Sequence, residues 1–159
     1  MKKKILSIAA GLLLTAISST SFAQTVQVNE TSTKSSEKAF NSFDEQFGNA
    51  VTPASFISGN GGIILKGEIG NREVTSVFNK KGNWVYSITR YPLTSLEKNV
   101  IDIVERGYDT RGYYITSMEK VDQPGLETVF IVHLKGNDSY KTLRVVANDV
   151  EVVEDFQIA

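Results

Sequence analysis

Cysteine is absent from the 159 residues. That excludes disulfides, thiolate metal sites and thiol catalysis by composition alone. Histidine occurs once, at His133, so neither a His-rich metal site nor a second imidazole base is available. Proline occurs three times, and tryptophan once. No Cys follows the apolar run near the N-terminus, which rules out lipid attachment of the bacterial lipoprotein kind. After that run no stretch is apolar enough to span a bilayer, so no stable membrane span is expected in the mature chain.

The N-terminus has the three parts of a secretory signal. Lys2, Lys3 and Lys4 form a positive n-region, Ile5 to Ile17 is largely apolar, and Ser21-Phe22-Ala23 places small residues at −3 and −1. Cleavage is expected between Ala23 and Gln24, with residues 1–23 removed and the product released to a periplasm or the extracellular space. Loss of the three signal lysines leaves 14 basic against 18 acidic side chains, a formal net charge of −4. A nucleic-acid binder would carry a basic stripe, so no nucleic-acid partner is expected.

Residues 24–35 are rich in Thr, Ser, Gln and Asn without apolar periodicity and read as a flexible leader. A single domain is expected over 36–159. From Ser36 to Gly48, the spacing of Phe40, Phe43 and Phe47 sets three rings on one side of a helix, to dock it on a sheet. From Thr52 to Tyr91 the period becomes strand-like, with Gly59-Asn60-Gly61-Gly62 and Gly70-Asn71 as turns. Glu73 to Arg90 reads as two strands joined around Asn79-Lys80-Lys81-Gly82-Asn83, Trp84, Tyr86 and Ile88 alternating with Val85, Ser87 and Thr89.

Thr94-Ser95-Leu96-Glu97 has capping-box spacing and predicts the start of a second helix. Leu96, Val100, Ile103, Val104 and Tyr108 are its core stripe, and Gly107 marks its end. Four strands follow: Tyr113 to Val121, Thr128 to Leu134, Tyr140 to Ala147 and Val150 to Phe156, the last after a tight turn at Asn148-Asp149. Phe130, Val132 and Leu134 share a face, as do Leu143 and Val145. The fold class is therefore α+β: an antiparallel sheet with helices packed on one face. Halves 36–91 and 92–159 admit two degenerate αβββ repeats.

From Val77 to Val153 the chain resembles the PepSY-like proteins of Bacteroidetes, grouped with the beta-lactamase-inhibitor-protein-like fold. The residues that carry the resemblance are the Phe78–Trp84 hairpin, the helix Leu96–Val104, Tyr108-Asp109, Ile115-Thr116-Ser117 and Lys141–Val146. Glu97 stands where the family usually has Pro, a benign change in a helix's first turn. The resemblance implies helices on one sheet face with the other free. It also implies kinship with modules that inhibit enzymes by covering their active sites, or that restrain proteases or bind ligands. It transfers no functional residue.

Signals for chemistry are sparse. His133 sits mid-strand, and it could act as a base only if a hydroxyl and a carboxylate converged on it across the sheet, with Tyr140 and Thr142 as candidate neighbours. It reads instead as a dispensable surface or edge histidine. Asp149, Glu151, Glu154 and Asp155, and Asp102 with Glu105, are acidic stretches without calcium-loop spacing. Gly59 to Gly62 lacks the Lys-Ser/Thr of a phosphate loop. No catalytic residue, metal or cofactor is expected, and the chain reads as a non-enzyme.

Aromatic rings remain. Trp84, Tyr86, Tyr91, Tyr113, Tyr114 and Tyr140 are more than one thin core layer needs. On a free sheet face such rings either pair across strands and stiffen the sheet or serve partner contact, and for the second reading Trp84, Tyr86 and Tyr140 are the candidate binding residues. The reading is a secreted binding module for a periplasmic or envelope protein or peptide, inhibitor-like in manner. The competing readings are an accessory envelope protein, a small-ligand or cation binder, and a cryptic hydrolase.

Overall fold

The computed structural model describes residues 33–48, 53–59, 61–108 and 112–157. The expected signal segment and cleavage site, and the expected leader up to residue 32, lie outside them. The chain runs α1 (Thr33–Phe47), β1 (Pro53–Gly59), β2 (Gly62–Ile69), β3 (Arg72–Phe78), β4 (Trp84–Tyr91), a 3₁₀ turn (Leu93–Ser95), α2 (Lys98–Tyr108), β5 (Tyr114–Asp122), β6 (Val129–Lys135), β7 (Ser139–Val146) and β8 (Asp149–Gln157). All eight strands form one antiparallel sheet whose spatial order is the chain order. This is the expected α+β fold. Each helix precedes four strands rather than the three of an αβββ unit.

Both helices lie on the same sheet face, each over its own apolar cluster. Under α1, Ala39 and Phe43 are buried with Ile63, Leu65, Val74 and Phe78, and Phe40 and Phe47 pack at the margin. The three-ring stripe thus docks the helix. Under α2, Val100 and Val104 are buried with Tyr91, Met118, Val132, Leu134, Leu143 and Val145. The two clusters share a face because Val74 pairs with Thr89, and Thr89 and Tyr91 are two apart on β4.

α1 begins at Thr33, so the last three leader residues are its first turn. It ends where Gly48 takes φ +73 and its N–H donates to the Asp44 carbonyl at 2.8 Å, a left-handed stop that glycine adopts without strain. α1 is also tied to the β3–β4 hairpin. Gly82 has φ +74, and a Cβ there would land on the Ser35 carbonyl oxygen. Lys38 Nζ donates to Asn83 Oδ1 at 2.6 Å. Asn79 Oδ1 accepts from the backbone N–H groups of Lys81 and Asn83, which closes the turn.

The capping-box expectation fails. Leu93–Ser95 is a 3₁₀ turn and α2 starts at Lys98, with the Glu97 carbonyl accepting from Val100 and Ile101. The Glu97 carboxylate is engaged elsewhere: it accepts from Tyr91 Oη at 2.9 Å and lies 3.7 Å from Arg72 Nη1. Tertiary partners on β3 and β4 have taken the side chain that a local cap would have used. α2 also continues past Gly107 to Tyr108.

Candidate binding face

The helix-free face is best described by cross-strand register. Same-face residues form rows perpendicular to the strands, and five rows follow one another along the sheet. The first is Ile57–Ile64–Val77–Tyr86, on β1 to β4. The second is Thr75–Ile88–Val121–Val129–Val146. The third alternates in charge, Glu73–Arg90–Glu119–Ile131–Arg144–Glu151. The fourth is Ser117–His133–Thr142–Glu154, and the fifth is Tyr114–Lys135–Tyr140–Phe156. The first row occupies the β1–β4 corner and the fifth the β5–β8 corner, so the apolar row and the aromatic row stand diagonally apart.

Of the three expected binding residues, one is on the wrong face. Trp84 pairs with Phe78 while Tyr86 pairs with Val77, and Val85 between them is an extra residue on β4. This bulge breaks the period-2 alternation, so Trp84 and Tyr86 point to opposite sides. Trp84 packs on the α1 cluster. Its Nε1 donates to Ser87 Oγ at 2.8 Å. Ser87 Oγ in turn donates to Gln46 Oε1 at 3.3 Å. With that proton committed, the buried 2.6 Å contact between Ser76 and Ser87 has Ser76 as donor. The network ties β3, β4 and α1 together and satisfies the buried hydroxyls of Ser76 and Ser87.

Tyr86 and Tyr140 do share the open face, yet they lie in the first and fifth rows. That separation is on the order of 25 Å along the strands, so they are not one site. Tyr91 and Tyr113 are not on the free surface either. Tyr91 is buried under α2, and Tyr113 shares a 2.6 Å hydrogen bond with Ser139 Oγ.

The fifth row gathers the exposed rings. Tyr114 is 56% exposed, Tyr140 42% and Phe156 59%. Lys135 lies between the two tyrosines in the row, its Nζ 5.5 Å from the Tyr140 ring centroid. A hydrogen bond to Tyr140 leads the causes that raise the Lys135 pKa, and the ammonium is held charged beside the rings. On the other side of β7, Lys141 bonds Asp155 and lies 5.4 Å from the Tyr113 ring, with the Asp155 bond chiefly raising its pKa. The row thus presents three rings and one cation at the sheet's corner. Sequence inspection singled out Tyr114 as an aromatic but missed its place beside Tyr140, and missed Phe156 altogether. Only the register, with bulges at Thr116 and Val153, brings them into line.

His133 has more company than its sequence context promised. Its Nδ1 lies 3.1 Å from Thr142 Oγ1, which donates to Glu154 Oε2 at 3.0 Å. Because the Thr142 proton goes to the carboxylate, the imidazole is the donor to Thr142 and carries its hydrogen on Nδ1. A hydroxyl and a carboxylate do line up with the histidine, but in series. The hydroxyl separates base from acid instead of being activated by the base. Tyr140 faces Lys135, not His133. Among the described residues no three His, Asp or Glu side chains cluster as metal ligands.

A groove of about 300 Å³ opens beside the same corner, between α2 and β5–β6. Leu93, Leu96, Ile101, Val104 and Leu134 give it an apolar lining, Tyr113 and Tyr114 form a wall, and Glu105 is its carboxylate. Its volume is at the lower end of small-ligand sites.

No protein family matches this sequence, and no curated protein does. Solved structures resemble the fold. A BLIP-like protein from Bacteroides fragilis superposes with a TM-score of 0.58 at 11% identity, over 77% of this chain and 85% of its own. A DUF2874 family protein from Bacteroides ovatus gives 0.55 at 14%, over 76% and 85%. An inferred periplasmic protein from Bacteroides eggerthii gives 0.56 at 9%, over 76% and 87%. At these identities the likeness is one of architecture: the chain is similar in fold to DUF2874 and BLIP-like proteins of Bacteroides.

Proposed function

We propose that the mature chain is a periplasmic, non-catalytic binding module that engages a protein or peptide through the open sheet face at the Tyr114–Lys135–Tyr140–Phe156 row. The observation that carries this reading is that row: three half-exposed rings in line across β5, β7 and β8, with a lysine among them. Solvating large apolar rings costs free energy that a partner's surface recovers, and Tyr and Phe lose little rotamer entropy on contact. Packing does not require these rings, because the α2 cluster is complete on the opposite face. The fold likeness to a BLIP-like protein and to an inferred periplasmic protein supports an inhibitor-like manner of covering a partner, in that compartment. So do the signal-like N-terminus and the PepSY-like resemblance.

The test is capture from a cell-envelope extract by tagged mature protein, run beside Tyr140→Ala and Phe156→Ala. A partner retained by the native protein and by Tyr86→Ala, but lost by the two fifth-row variants at unchanged melting temperature, supports the reading. A partner captured equally by all four overturns the assignment of the row.

A further inference from the structure

The two edges of the sheet are chemically opposite. β8 carries Asp149, Glu151, Glu154 and Asp155 and no basic residue, whereas β1, Pro-Ala-Ser-Phe-Ile-Ser-Gly, carries no charge. An edge strand exposes a row of unpaired backbone donors and acceptors, and charge is a usual means of keeping such an edge solitary. β8 has that protection. A twofold pairing of β8 with its copy would set carboxylates against carboxylates. β1 has no charge; its proline and its bulge interrupt only the start of the strand, ahead of Ser55, and beyond them it holds Ile57 at 53% exposure.

We propose that β1 is a self-association edge, on which a second copy of this chain pairs antiparallel about a twofold axis through Ile57. A twofold perpendicular to the sheet keeps the helix-free faces on one side and pairs residues of the same face. With the axis at Ile57, Phe56 lies opposite the copy's Ser58 and Ser55 opposite its Gly59, so no charge opposes any other. The first row of the open face then runs unbroken through both copies, as Tyr86–Val77–Ile64–Ile57 followed by the same four residues in reverse. Ile57, half-solvated in one copy, gains an apolar cross-strand neighbour. The interface is isologous and closes at two copies, because each copy uses its one uncharged edge. The aromatic row lies at the far corner of the sheet and stays free in both copies, so the dimer is bivalent. A five-residue strand pair, Ser55 to Gly59 in each copy, is a small interface, and a dissociation constant on the order of 10–100 µM is expected.

Sedimentation equilibrium of the full mature chain, from about 5 to 500 µM, reads this directly. The expected result is a monomer–dimer equilibrium with no larger species, and Ile57→Lys, shown folded by circular dichroism, is monomeric throughout. Ile57→Cys supplies the chain's sole thiol and does not depend on how Ile57→Lys folds. Under mild oxidation it forms a disulfide dimer across the axis, while Val153→Cys on β8 stays monomeric. A native chain that is monomeric at 500 µM, a ladder of oligomers beyond two, or Val153→Cys coupling faster than Ile57→Cys would each overturn the proposal.

Discussion

Trp84 donates its indole N–H to Ser87 Oγ across 2.8 Å, and both side chains face α1. The bond holds the only tryptophan on the helix face of β4, two positions before Tyr86, which points the other way. Truncating it should therefore read as a stability defect. Trp84→Ala is expected to cost about 3–5 kcal/mol, and Trp84→Phe about 1 kcal/mol through the lost donor. Equilibrium urea unfolding measures both, and partner capture by the Phe variant should match that of the native protein.

For the fifth row the expectation is reversed. Tyr140→Ala should weaken capture of a partner by about 2 kcal/mol or more if the ring is a hot spot. Its urea midpoint should move little, since Tyr140 lies outside both buried clusters. Titration calorimetry against an identified partner compares the two effects on one scale.

Much of the fold is legible in the sequence, because period-2 and helical spacing report burial directly. All four strands after α2 and the β3–β4 hairpin fall within two residues of expectation, and the face shared by Val132, Leu134, Leu143 and Val145 is their buried side. The site is less legible. Each of three bulges, opposite Val77/Phe78 and at Thr116 and Val153, reverses the facing of everything beyond it, and no residue-type signal marks them. Phe156 is expected as the end of the last strand, and only the register sets it beside Tyr140. Glu97 shows a different limit: its local capping pattern is real, but Tyr91 and Arg72 compete for the same carboxylate.

Tyr91 also predicts an alkaline transition. Burial, then the hydrogen bond to Glu97, push its phenol above the ordinary value of 10.0. The folded state thus keeps a proton that the unfolded chain releases first. The stabilisation is fully present below pH 10 and is lost as pH rises above it towards the folded-state value. In Tyr91→Phe the hydrogen bond is gone, for a cost of about 1 kcal/mol at neutral pH. Its thermal melts from pH 7 to 11 should fall less steeply above pH 10 than those of the native protein.

Ala147 occupies φ +51 in the β7–β8 turn, the one non-glycine among the described residues at positive φ. The turn sits at Ala147–Asn148, one residue before the expected Asn148-Asp149. Alanine pays a steric penalty there that glycine avoids, partly offset by glycine's greater unfolded-state entropy. Ala147→Gly is expected to raise stability by about 0.5–1 kcal/mol, read as a higher urea midpoint at unchanged slope.

Two further outcomes bear on export and chemistry. Intact mass spectrometry of the exported protein should give a chain beginning at Gln24, from the Ser21-Phe22-Ala23 pattern. His133→Ala should leave partner capture intact and melt within about 1 kcal/mol of the native protein, the value of its bond to Thr142. Loss of function without loss of stability in that variant would instead support a catalytic role for the His133–Thr142–Glu154 row.

A sheet whose strands follow one another in space as they do in the chain has a kinetic consequence. Each strand pairs with the one before it in the chain, and apart from the link that carries α2 between β4 and β5 the connections are short turns, so non-local search is small. The α1 cluster draws on residues 39 to 84 and is complete before the α2 cluster, from 91 onwards, has been threaded. A chain delivered N-terminus first, as every chain leaves the ribosome, can therefore assemble one half while the other is still to emerge. What emerges first is a four-stranded sheet with β4 as a temporary edge, and β5 is the next strand out to cover it.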